Sequence, residues 1–255
     1  MRKKRNNYGF SLTEVLLAVG TLSIGMIFVA GVFPVAIHFS TIASERTIAA
    51  VVADEAFAKV RLYGEAYSEF QRQTQPDLPD WVEVMPPDSC VDFNDLVLII
   101  GRNEFAYPSY PDADILQSRY CWSALCWRVV DTRLVQVTVF VCRRIGAGTT
   151  YRYRTDPSVM FQISDYPVPV IVGVSQPGSD NELLIADADV INDGYTIVDN
   201  ETGRLYRVLE RDASQPDTIV LDRDWQGGNL VWVVPPPADG GRYPCIAVYQ
   251  KVIRF

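Results

Sequence analysis

The pattern of apolar and polar positions changes character three times along the chain. From Val15 to Ser44 no Asp, Glu, Lys or Arg appears. At about 1.5 Å per residue, a helix of that run exceeds a hydrocarbon core of roughly 30 Å. A membrane span over about residues 13–39 is the expectation. Beyond Pro34 the apolar positions become one-sided: Ile42, Ala49, Val52, Ala56, Val60, Tyr63, Tyr67 and Phe70 recur at helical steps. Glu45, Arg46, Asp54, Glu55, Lys59, Arg61 and Glu65 fall mostly off that stripe. The pattern predicts a single helix within residues 10–73, its first half in membrane or filament core and its second half under a folded domain. Pro34 removes one backbone bond and crowds the carbonyl of Ala30, which predicts a kink or local melting there.

After the helix, period-two alternation takes over. Residues 74–89 are rich in Pro and acids and read as a loop. A β-rich head over residues 74–165 contains the clearest hairpin, Arg119–Val130 against Arg133–Arg144 around Asp131-Thr132. Its alternation puts Val135, Val137, Val139 and Val141 on one face with Trp122, Ala124 and Cys126. The same register sets Cys121 opposite Cys142. Counted outward from a two-residue turn, this is a non-hydrogen-bonded pair with Cα atoms about 4.5 Å apart, within reach of a disulfide. Tyr166-Pro167-Val168-Pro169 marks a boundary, and residues 166–255 hold short strands at regular spacing, with Asp199–Gly203 as a hairpin loop. They predict a small all-β sandwich or barrel. The fold class expected is α+β.

Charge narrows the function. The net charge is −8, and removing residues 1–9 takes away four of 23 basic residues and none of 31 acidic ones, leaving −12. A folded part this acidic repels phosphate, so a nucleic-acid partner is not expected. His38 is the single histidine, which removes Ser-His-Asp, Cys-His and His-based metal sites. No phosphate-binding glycine motif is present, and an enzyme is not expected. Five cysteines, Cys90, Cys121, Cys126, Cys142 and Cys245, form no C-x-x-C pair. Asp187, Asp189 and Asp193 before Gly194 form a weak calcium candidate; Ile191 stands where an oxygen ligand belongs, and a solvated acidic loop is the plainer reading. No cofactor is expected.

The junction at the N-terminus carries the sharpest signal. Arg2, Lys3, Lys4 and Arg5 precede the apolar run, the charge arrangement of a segment whose N-terminus stays in the cytoplasm. An ordinary cleaved signal lacks its small-residue site here, since the apolar run continues to about Phe39. A plain anchor leaves Glu14 unexplained, except as an acid facing water at the lipid interface. Gly9-Phe10-Ser11-Leu12-Thr13-Glu14, between the basic and apolar parts, resembles the type IV prepilin signature shared by pilins and the pseudopilins of type II secretion. The resemblance covers about the first 45 residues. It implies cleavage after Gly9 by a prepilin peptidase, N-methylation at Phe10, and assembly with other pilin or pseudopilin subunits from the inner membrane. Residues 1–9 would then be a leader peptide. Cleavage would create an amine four residues before Glu14, and that carboxylate could neutralise the amine of a neighbouring subunit. The second β block exceeds a compact pilin head and points to a minor subunit. A type II secretion pseudopilin and a membrane-anchored binding or adhesion protein are the alternatives.

Overall fold

The computed structural model describes residues 11–74, 80–93, 101–109, 115–129, 133–146, 148–176, 180–211 and 215–255. Gly9, Phe10 and the leader lie outside them. The chain forms two units, Met1–Thr47 and Ile48–Phe255. Helix α1 (Leu12–Thr74) has 63 residues and contributes to both. It runs through Pro34 without a break, so the local melting expected there is not seen. In the first unit the large apolar side chains from Leu12 to Phe39 are all exposed.

The second unit is built on the one-sided part of α1. Ala49, Val52, Ala53, Ala56 and Val60 are buried, and Tyr63 and Tyr67 pack at the edge of the same core. Small and β-branched side chains on that stripe let other elements approach closely. The stretch expected as a loop contains a helical turn, α2 (Trp81–Val84). The turn forms because Trp81, Val82 and Met85, each no more than 2% exposed, insert into the same core. Trp81 meets Phe255 edge to face at 4.8 Å. Gly64 makes room for both, since a Cβ there would lie 2.7 Å from Phe255 and 2.8 Å from Trp81.

The head sheet begins with β1 (Val91–Asp92), β2 (Ala106–Tyr107), β3 (Tyr120–Arg128) and β4 (Leu134–Arg143). The expected hairpin register holds: Cys121 faces Cys142, Trp122 faces Val141 and Cys126 faces Val137. Its connecting residues 130–132 lie outside the described set. A short hairpin follows, β5 (Tyr151–Tyr153) with β6 (Gln162–Ser164). Six strands then close into a barrel: β7 (Val170–Ser175), β8 (Glu182–Ile185), β9 (Thr196–Asp199), β10 (Leu205–Arg211), β11 (Thr218–Leu221) and β12 (Leu230–Val233). Val172, Leu183, Ile197, Val208, Ile219 and Val231 belong to its buried core. Alternation along every strand sends one side chain in two to that interior.

The last strand corrects the expected division at residue 166. β13 (Cys245–Arg254) leaves the barrel and pairs along the whole of β4, giving the sheet order β1-β3-β4-β13 with β2 also on β3. The barrel is therefore an insertion between two neighbouring strands of the head. Nothing local in the sequence distinguishes a strand that closes its own block from one that returns to an earlier sheet.

Both faces of this sheet are covered. The valine face looks toward α1, where Lys251 lies over the Phe57 ring. The opposite face carries the β9–β10 turn of the barrel. Gln136 and Gln250 both donate to the Gly203 carbonyl, at 2.8 and 2.6 Å. Trp127 donates its indole N–H to the Glu201 carbonyl at 2.8 Å. Gly203 has φ +66°, and any Cβ there would strike the Gln136 amide at 2.7 Å. Helix, sheet and barrel thus form three packed layers within the second unit.

Candidate functional site: an apolar helix surface led by one carboxylate

The exposed part of α1 departs furthest from what water tolerates. Leu12 is 76% exposed, Ile27 72% and Phe28 70%, and an 18-residue window of this helix reaches a mean hydropathy of 2.4 with none of it buried. The helix is long and apolar enough to cross a membrane. Three of its hydroxyls turn inward on their own backbone. Thr21 donates to the Ala18 carbonyl at 3.0 Å, Ser23 to Val19 at 2.8 Å and Thr41 to Ile37 at 2.9 Å. Hydroxyls bonded this way present little unmet polarity to an apolar surrounding.

Glu14 lies in the first turn and is exposed. Its backbone N–H reaches the Ser11 carbonyl at 3.0 Å, and the Ser11 and Thr13 hydroxyls pair at 2.7 Å. A negative charge there opposes the positive end of the helix dipole, a favourable placement. No Lys or Arg occurs from Ser11 to Glu45.

The remaining candidates sit in the second unit. All five cysteines are free thiols. Cys121 and Cys142 face each other as expected, but the phase of the ladder differs. Val129 donates to the Leu134 carbonyl and Arg144 to the Arg119 carbonyl, both at 2.9 Å. Those bonds flank the strands at odd positions of β3, so Cys121–Cys142 is a hydrogen-bonded pair with Cα atoms about 5.5 Å apart. The register set by side-chain alternation was right and the hydrogen-bond phase was not, because phase depends on how the connection closes. On the other side of Cys142 stands Cys245. Sequence reasoning missed this neighbour, which no local spacing could have revealed.

The three acids are engaged by partners from the chain itself. Asp187 pairs with the buried Arg154, whose guanidinium also donates twice to the Ile171 carbonyl and stacks on Phe161 at 4.0 Å. Asp189 lies 3.6 Å from Arg152, and Asp193 accepts the Arg211 backbone N–H at 2.7 Å. Among the described residues no group of three His, Cys, Asp or Glu is placed to hold a metal ion.

One polar cluster that the pattern did not flag ties α1 to the head. The ammonium of Lys59 reaches Glu104 Oε2 at 2.9 Å, the Glu104 carbonyl at 2.7 Å and Glu55 at 3.3 Å. This contact holds the Glu104 carboxyl below the usual range for a glutamate. Burial, reinforced by Glu104, pushes the Tyr63 phenol up to about 12.

No family model, no curated protein and no solved structure matches this chain.

Proposed function

We propose that this chain is a non-enzymatic structural subunit resembling a minor type IV pilin. In this reading a prepilin peptidase removes the leader after Gly9 and methylates Phe10. The apolar half of α1 holds the subunit in the inner membrane, N-terminus in the cytoplasm and β domains on the far side. The same surface then packs against other subunits in a filament. The observation that carries the reading is the fully exposed apolar run of α1, opened by Glu14 and preceded by Gly9-Phe10-Ser11-Leu12-Thr13.

The physical logic runs through charge. A carboxylate and an amine are each costly in an apolar surrounding and tolerable as a pair. Glu14 of one subunit neutralises the Phe10 amine of its neighbour, and a slip of one helical turn strands both charges. The pair therefore sets axial register as well as attraction.

The test is N-terminal mass spectrometry of the mature protein. A chain that begins with N-methylated Phe10 supports the reading. An intact Met1, or a cut near residues 36–44, overturns it. Recovery of the protein in sheared surface filaments separates a pilus subunit from a pseudopilin of a secretion system.

A further inference from the structure

Three cysteines stand in one row across the head sheet: Cys121 on β3, Cys142 on β4 and Cys245 on β13. The third is there because of a register shift. From Ala247 to Arg254 the pairing of β13 with β4 is regular, and continued upstream it would set Ile246 opposite Cys142. A bulge between Cys245 and Ala247 moves Cys245 into that position instead.

The two neighbours of Cys142 are not equivalent. Cys121 is a hydrogen-bonded partner, as shown above. On the other side, Arg143 donates to the Pro244 carbonyl at 2.8 Å. That makes the adjacent Cys142–Cys245 pair non-hydrogen-bonded, with Cα atoms about 4.5 Å apart and side chains closer. Both Cα separations lie within the range that disulfides span, so the closer side chains of the non-hydrogen-bonded pair decide between them. The thiols of Cys142 and Cys245 already interact. Access differs as well: Cys121 is 2% exposed and Cys142 is fully buried, whereas Cys245 is half-buried.

We propose that Cys142 and Cys245 form a disulfide that closes the neck of the barrel insertion, with Cys121 left as a thiol beside it. The oxidant is a disulfide-bonded donor, either a protein disulfide or glutathione disulfide. The Cys245 thiol loses its proton and attacks one donor sulfur, releasing one donor thiol and leaving a mixed disulfide. Cys142 then loses its proton and attacks Cys245 Sγ, releasing the second donor thiol. Two protein thiols are oxidised by two electrons, and one donor disulfide is reduced to two thiols. Burial raises Cys121 to about 12 and Cys142 well above its ordinary value, so the half-buried Cys245 is the thiol that meets the donor first.

Formation in the cell rests on the reading that the β domains lie outside the cytoplasm; the following test does not. The full-length chain in detergent is reduced, freed of reductant and incubated with glutathione disulfide. It is then alkylated under denaturing conditions and mapped by peptide mass spectrometry. The expected product links Cys142 to Cys245, with the mass lowered by two hydrogens, and Cys121→Ser forms the same link. A Cys121–Cys142 link in the unmodified chain overturns the proposal. So does alkylation of both Cys142 and Cys245 after incubation. Because the unmodified chain gives the deciding result, a variant that misfolds leaves the test intact. A mature chain without the Phe10 terminus would fail the pilin reading while leaving this result standing.

Discussion

The two halves of α1 belong to one uninterrupted helix and obey opposite rules. From Leu12 to Phe39 the helix is apolar on every side and none of its large side chains is buried. From Ile48 to Ser68 it is far more polar, and Ala49, Val52, Ala56 and Val60 are completely buried. Hydropathy alone would rank them the other way. What distinguishes them is geometry: a stripe one side chain wide can be covered by a sheet, whereas an all-round apolar cylinder needs an apolar solvent or many neighbours.

The comparison breaks if a charge has the same effect in both halves. Ala56→Asp places an unpaired carboxylate on the buried stripe. It should destabilise the head by about 4 kcal/mol or more, roughly 10 °C in thermal unfolding. Leu22→Asp should leave head unfolding within about 0.5 kcal/mol. It should reduce the membrane-bound fraction, since an acid at the centre of a span costs about 3 kcal/mol. Calorimetry in detergent and membrane flotation read the two effects separately.

Glycine gives a finer contrast. Gly64→Ala brings a Cβ to within 2.8 Å of Trp81 and Phe255, so overpacking should cost about 1–3 kcal/mol. Gly25→Ala meets nothing within 4 Å. It should leave head unfolding unchanged and strengthen the helix by up to about 1 kcal/mol. Chemical denaturation of the two variants decides; equal losses would contradict the difference between the halves.

The smallest effect is in pH. Glu104 titrates lower in the folded head than in an open chain, so its contribution is present above the ordinary glutamate value and lost as pH falls below it. Tyr63 titrates higher, so its contribution is present below its ordinary value of 10 and lost as pH rises toward about 12. Head stability should therefore decline at both ends, and Lys59→Met should flatten the acid arm. Glu104 is 42% exposed on its side chain, so solvent screens the pair. Unfolding temperatures across the pH series provide the measurement.

What the sequence made legible follows from the range of each signal. The apolar run, the one-sided stripe and the valine face are periodicities within about 30 residues, and all three appear in the structure. So does the register of β3 with β4, because alternation on a two-faced strand admits no one-residue slip. The α2 turn was hidden because Trp81, Val82 and Met85 make too short a run to show a period. The short, evenly spaced strands announced a sandwich or barrel, and the barrel is what forms; the place of β13 and the Lys59–Glu104 contact were hidden because each joins positions far apart in the chain. Asp187 looked like a ligand for the same reason: its partner Arg154 lies 33 residues upstream.

The return of β13 to the head sheet also sets an order of events in synthesis. The head sheet lacks one of its strands until residues 245–254 have been made, after every strand of the barrel. Until then β4 is a free edge, open to pairing with any other strand. The barrel, whose strands all precede β13, can close first and carry the final strand into place. A chain stopped anywhere before Cys245 would keep its finished barrel beside an open, sticky head, so completion of the head waits on β13.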